Sequence, residues 1–194
     1  MVNIYFFIED KAHQKFLIDF IAERFGISLN TNSFYKLEGW SGYKKGGVAF
    51  PDYEQKSQDG FEIITTLDAD DNTINRRTEV LTDFTRLGIK SHLFLFPNDE
   101  RSGEIETALI EIAVDRKLMD CFEGYEKCIA DYQKPVNKSK VFAYLDALLK
   151  PNQKKNNSKD FIQEDKRNYR NNDHWNLKHE YLNPLFQFLQ PFFQ

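Results

Sequence analysis

The sequence predicts an α/β fold: a mostly parallel sheet of about four strands flanked by helices, followed by a helical C-terminal half. Three observations carry this reading. Four short apolar runs of strand length are spaced far enough apart for crossover connections, and two of the intervening segments have helical periodicity. Two of the runs end abruptly in acidic residues, where a strand reaches the solvent-facing rim of a sheet. Beyond residue 97 the apolar residues recur every three to four positions through three successive segments.

Residues 3–8 (NIYFFI) form a continuous apolar run that stops at Glu9, Asp10 and Lys11, as expected for a buried first strand. In the following AHQKFLIDFIAERFG, Phe16, Leu17, Phe20, Ile21 and Phe25 share a helix face and Gly26 supplies a stop. Residues 34–40 (FYKLEGW) alternate as a second strand. The polar, Gly-rich stretch 41–60 reads mostly as loop, with a tight turn at Gly46-Gly47. Residues 61–67 (FEIITTL) are β-branched and apolar, break off in DADDN, and lead into a helix over 73–87 closed by Gly88. HLFLF (92–96) is the fourth strand, halted by Pro97.

The second half predicts helices over 104–116, 119–132 and 138–149, then a short one within 181–193 (YLNPLFQFLQPFF). Between them, 150–173 has few apolar residues and no Gly, so it is expected to be a mobile basic loop. At 194 residues the chain suits one domain, 1–194: an α/β core over 1–97, a helical extension over 98–149, the loop over 150–173 and a C-terminal helix over 174–194. No internal repeat is present.

Hydrophobic residues make up 41% and charged residues 29%, a balance that excludes a disordered polyelectrolyte, and 18 Phe residues favour a tightly packed interior. The net charge of −4 argues against a protein that coats nucleic acid by bulk electrostatics. The distribution is uneven: residues 150–173 carry net +3, leaving −7 elsewhere. An acidic body with a basic arm fits a carboxylate metal site beside a patch that meets phosphate, and a solvated loop rich in Lys and Asn explains the same composition. Cys121 and Cys128 lie two turns apart in a predicted helix, too far for an easy disulfide. With no secretory signal and no apolar run long enough to span a bilayer, a cytoplasmic protein without membrane association is expected.

Asp68 and Asp70, one residue apart just after a buried strand, project to one side of the sheet edge. With a distant Glu9 they offer the hard oxygen ligands that Mg²⁺ or Mn²⁺ takes while keeping waters and phosphate oxygens. A DxD is also what helix caps and turns use after strands. The joint pattern favours the metal: an apolar strand ending in Glu, a helix, a second strand, then a buried strand ending in DxD.

Here the chain resembles the Toprim fold of topoisomerases, primases, recombination proteins and the overcoming-lysogenization-defect nucleases. The matching residues are FFIED, with Glu9 in the place of the family glutamate, and TTLDADD, with Asp68 and Asp70 as its DxD, so the likeness spans residues 3–97. The segment FPNDERSGEIE (96–106) resembles a small uncharacterised family of stand-alone Toprim-like proteins related to those nucleases, in which a Pro-Asn/Asp turn precedes a Ser-Gly helix start. Two positions depart from the pattern. Asp10 follows the glutamate where many Toprim domains have Gly, and His13 stands where the nucleases often carry an acid. His13 is either a substitute ligand or, as a single His on a helix surface, solvated.

The resemblance also implies a second acidic cluster after the fourth strand that completes a two-metal site. Glu106 and Glu104 are assigned to it, although acids at a helix start are favoured by the helix dipole alone. By position in the nuclease-type domains, Lys138 and Lys140, after the Pro135-Val136-Asn137 break, are the candidates to neutralise charge building on a phosphoryl group; lysines at a helix start in water are the plainer reading. Glu9, Lys138 and Lys140 are thus the catalytic candidates, and Glu9, Asp68, Asp70, Glu104 and Glu106 the metal ligands. GxSxG, HExxH, P-loop and GxGxxG motifs do not occur. His174, Trp175 and His179 fit a core or surface role better than a partner contact.

The function expected from the resemblance is Mg²⁺- or Mn²⁺-dependent phosphodiester cleavage of nucleic acid. The alternative is a non-enzymatic or partner-activated Toprim-like module, a phage-defence or mobile-element effector controlled by a separately encoded ATPase. A third reading is a degenerate scaffold whose acids only cap helices.

Overall fold

The continuous apolar run IYFFI forms β1 (Ile4–Ile8), flanked by β2 (Phe34–Lys36) and β3 (Glu62–Asp68), with β4 (His92–Phe96) outside β3. In this computed structural model all three pairings are parallel and the order is β2-β1-β3-β4, with Ile8 opposite Thr66 and Asp68 opposite Phe96. The structure describes residues 3–37, 39, 42, 50–133, 136–149 and 163–194. Among them lie seven α-helices: α1 (Lys11–Phe25), α2 (Phe50–Gln58), α3 (Thr73–Leu87), α4 (Ile105–Ile112), α5 (Arg116–Cys128), α6 (Asn137–Leu148) and α7 (Asn183–Phe193). None of the described helices is long and apolar enough to cross a membrane.

Because the sheet is parallel, both faces are covered, and this is why its strands read as unbroken apolar runs rather than alternating ones. Phe6, Ile8, Ile64, Phe94 and Phe96 pack with α1, α4, α6 and α7 through Phe16, Leu17, Leu109, Tyr144 and Leu185. Tyr5, Phe7, Ile63, Leu67 and Leu95 turn the other way onto Tyr53 of α2 and Val80 and Phe84 of α3. Full burial of each such side chain contributes about 1.5–3 kcal/mol.

The caps follow the local sequence. Asp10 caps α1 by accepting the N–H groups of Ala12 and His13. Asn72 caps α3 through the N–H of Asn75, and Gly88 closes that helix in the left-handed conformation.

The structure departs from expectation in four places. The second strand stops at Lys36 instead of running toward residue 40. The stretch 41–60 contains helix α2, which buries Tyr53 beneath Phe7 with ring centroids 3.5 Å apart. A helix anchored by so few apolar residues shows little periodicity. Gly46 and Gly47 lie outside the described residues. The segment 104–116 is not one helix: it breaks after Ile112, where Ala113 pairs with Trp175 and Asp115 caps α5 through Leu118 N–H.

The fourth departure is in the expected mobile loop. Residues 150–162 lie outside the described residues, whereas 163–173 fold onto α1, with Arg167 and Tyr169 buried and Tyr169 N–H donating to Asp19 at 2.9 Å. One aromatic ring, stacked edge-on against Phe16, anchors this polar stretch; Trp175 is buried beside it. Both cysteines are free and exposed on α5.

Candidate metal centre

With strand order β2-β1-β3-β4, the chain leaves β1 toward one edge and β3 toward the other, so the order of connection reverses between these two parallel neighbours. Ligands gather beyond the carboxyl ends of strands at such a switch point. Glu9 immediately follows β1 and Asp68 ends β3. Glu9 N–H donates to Thr66 O at 3.2 Å, and Glu9 Oε2 accepts the N–H of Asp68 at 2.9 Å.

His13 completes the group from the first turn of α1. Among the described residues, Glu9, His13 and Asp68 each offer a donor atom within 4.8 Å of the other two. His13 is 0% exposed, which overturns its reading as a solvated helix-surface residue. The signal was legible: His13 lies three and four residues before Phe16 and Leu17, on the apolar stripe of α1. Its Nδ1 is 3.0 Å from Asp10 Oδ1. Its Nε2 lies 3.2 Å from Asp68 Oδ1 but is not aligned for a hydrogen bond, and is a buried nitrogen without a hydrogen-bond partner.

The other sequence-predicted acids surround this group. Asp70 stands at φ +51 and pairs backbone to backbone with Gly103, its N–H to Gly103 O at 3.0 Å and its O from Gly103 N–H at 2.7 Å. Its carboxylate is turned to Arg76, a partner that sequence reasoning missed. Gly103 is required here: at φ +135 an added Cβ would come within 2.6 Å of Thr107 Oγ1.

Asp68 Oδ1 accepts the N–H of Ile105 at 2.8 Å, so the β3 acid also caps α4. Glu104 precedes that helix, with its N–H on Thr107 Oγ1 at 3.3 Å, and Glu106 is buried in the first turn. Both feel the charge of Asp68.

The carboxylates of the group act on one another. Burial, then the neighbouring Asp68 carboxylate, raises Glu9 to about 7 and Glu106 to about 7, and the same two causes raise Glu104. For His13, burial opposes the charged form, but Asp68 and Asp10 outweigh it and hold the imidazole well above its usual value. Burial likewise opposes charge on Asp10, yet hydrogen bonding to His13 brings it down to about 2.

The two lysine candidates separate. Lys138 pairs with Glu164 and also senses Glu106 and Asp10, which places it on the rim of the acidic group. Lys140 pairs instead with Glu126 at 2.7 Å, tying α6 to α5. Beside the group an open cleft of about 610 Å³ is lined by Asp70, Asn72, Asn75, Arg76, Glu104 and Asn137 among others.

No family model matches the chain, and neither a curated protein nor a solved structure matches it. The donor set itself is suited to a divalent cation: two carboxylates, a buried imidazole nitrogen lacking a hydrogen-bond partner, and acids whose raised pKa values a positive charge would relieve.

Proposed function

We propose that the chain is a divalent-metal-dependent, phosphodiester-cleaving protein of Toprim-like type that acts on nucleic acid. The observation that carries this reading is the convergence of Glu9, His13 and Asp68 at the switch point between β1 and β3, beside an open cleft.

A bound divalent cation supplies Lewis acidity toward a phosphoryl oxygen and a water that deprotonates near neutral pH. The chain's own groups do the rest. Glu9 and Asp68 hold the charge in place, Asp68 being fixed by the N–H of Ile105. Glu106, buried in the first turn of α4 within reach of the Asp68 charge, is the carboxylate placed to exchange a proton beside the ion. Asp70 and Glu104 face the cleft, and Arg76 and Asn75 offer donors to phosphate there. Lys138 stands where it can offset negative charge beside Glu106.

A second reading, a module activated by a partner, is favoured by one observation: Lys138 and Lys140 are both already engaged in ion pairs, with Glu164 and Glu126. A partner that drew Glu164 away would free Lys138. The test is cleavage of single- and double-stranded DNA, of RNA and of bis(4-nitrophenyl) phosphate with MnCl₂ or MgCl₂, by wild type, Glu9→Gln and Asp68→Asn. Metal-dependent turnover that both variants lose supports the enzyme; turnover on none of these substrates sinks hydrolysis by the chain alone.

A further inference from the structure

We infer that His13 Nε2 is a direct metal ligand oriented by Asp10, and that this nitrogen makes the centre select Mn²⁺ or a later first-row transition ion over Mg²⁺. The inference rests on the metal-dependent reading above and names the ion that reading requires.

The geometry is that of a carboxylate–imidazole–metal relay. Asp10 accepts from His13 Nδ1 at 3.0 Å, so in the neutral ring the lone pair lies on Nε2, open to an ion that displaces the Nε2 proton. The ring is locked in that orientation because it is wholly buried and packs edge-on against Phe96, with centroids 4.9 Å apart. Asp10 is itself fixed, since the same Oδ1 caps α1 through the N–H of Ala12 at 2.8 Å. The nitrogen left over points into the space shared with Glu9 and Asp68.

Nε2 is buried with the misaligned Asp68 Oδ1 3.2 Å away and no hydrogen bond of its own, an arrangement that an ion shared by the imidazole and the carboxylate would satisfy. Two carboxylates and one rigid imidazole are a mixed donor set. Mg²⁺ dehydrates reluctantly and prefers oxygen, whereas imidazole suits transition ions, with affinity rising from Mn²⁺ to Co²⁺. Asp10 is therefore a positioning residue, and it belongs to the site even though it does not touch the ion.

The test uses the full chain with MgCl₂, MnCl₂ or CoCl₂ as the only added probe. Calorimetry of the wild type is expected to give affinities in the order Mg²⁺, Mn²⁺, Co²⁺. Pulsed electron paramagnetic resonance of the Mn²⁺-loaded protein should show ¹⁴N coupling from a bound imidazole. Asp10→Asn, which preserves the helix cap, should weaken Mn²⁺ about tenfold. His13→Asp, with a third oxygen donor, should abolish the ¹⁴N signal and narrow the gap between Mn²⁺ and Mg²⁺.

Equal affinity for Mg²⁺ and Mn²⁺ with no nitrogen coupling in the wild type would overturn the inference while leaving a metal-dependent hydrolase standing. Failure of all three ions to bind would remove both. The wild-type spectrum decides the question even if a His13 variant does not fold.

Discussion

The carboxylate of Glu9 accepts the backbone N–H of Asp68 at 2.9 Å, so the side chain that ends one strand is bonded to the main chain that ends its neighbour. Glu9→Gln keeps an acceptor and removes a charge. Its metal-free melting temperature should equal or exceed that of the wild type, while the metal-induced rise disappears. Glu9→Ala instead leaves the Asp68 N–H without its partner and should cost about 1–3 kcal/mol in denaturant titration.

Millimolar Mn²⁺ should raise the melting temperature of the wild type, since a ligand that saturates the native state a hundredfold above its Kd contributes about 2.7 kcal/mol. Asp68→Asn should abolish most of that rise. Asp70→Asn should remove less, because the Asp70 carboxylate is held by Arg76 and stands outside the group formed by Glu9, His13 and Asp68. Equal losses in the two variants would show that Asp70 turns from Arg76 to the ion.

The pH dependence of the metal-free protein has a definite sign. Glu9 and Glu106, at about 7 in the fold against 4.5 ordinarily, bind more protons folded than unfolded between those values, so their contribution is lost as pH rises from about 4.5 through 7. His13, raised above 6.5, gives stability fully present below 6.5 and lost as pH rises through its higher folded value. Asp10, lowered from 3.8 to about 2, contributes above 3.8 and loses that contribution as pH falls through 2. Thermal unfolding in EDTA should therefore be most favourable to the native state near pH 5 and decline toward pH 8, and Glu9→Gln with Glu106→Gln should flatten the decline. A melting temperature that climbs between pH 5 and 8 would contradict this.

Asp70 sits at φ +51, where Asp and Asn are tolerated and a Cβ without a short polar tip is not. Asp70→Ala should be about 1 kcal/mol less stable than Asp70→Asn by urea unfolding, with Asp70→Gly recovering most of the difference.

If the chain cleaves phosphodiesters, Lys138→Ala should lower kcat without weakening metal binding, because Lys138 lies near Glu106. Lys140→Ala should leave kcat unchanged and cost on the order of 1 kcal/mol through loss of its half-buried ion pair with Glu126. A comparable kcat loss in both would place the α5–α6 contact, rather than local charge, behind the effect.

Much of the fold was legible before any coordinates, because its signals are local. Apolar runs with both faces buried read as strands, the N-caps at Asp10 and Asn72 and the left-handed Gly26 and Gly88 bound α1 and α3, and β4 and α3 occupy the expected residues. Glu9 and Asp68 could be singled out for the same reason: each follows a run that can only be a strand. The sequence was silent on α2, where the buried ring of Tyr53 leaves no periodic pattern, and on the fold of 163–173, which depends on Tyr169 meeting Phe16 about 150 residues away.

The sequence by itself determined which residues end strands, which cap helices and that acids cluster after two of the strands. Only the tertiary structure decided which acids share a site. Parallel pairing of β1 with β3 brings Glu9 to Asp68 across 59 residues, and packing of α1 on that face turns His13 inward to join them. The same packing gives Asp70 to Arg76 and Lys140 to Glu126. Strand register and helix docking set these distances through contacts distant in sequence, and the spacing of residues along the chain carries no record of them.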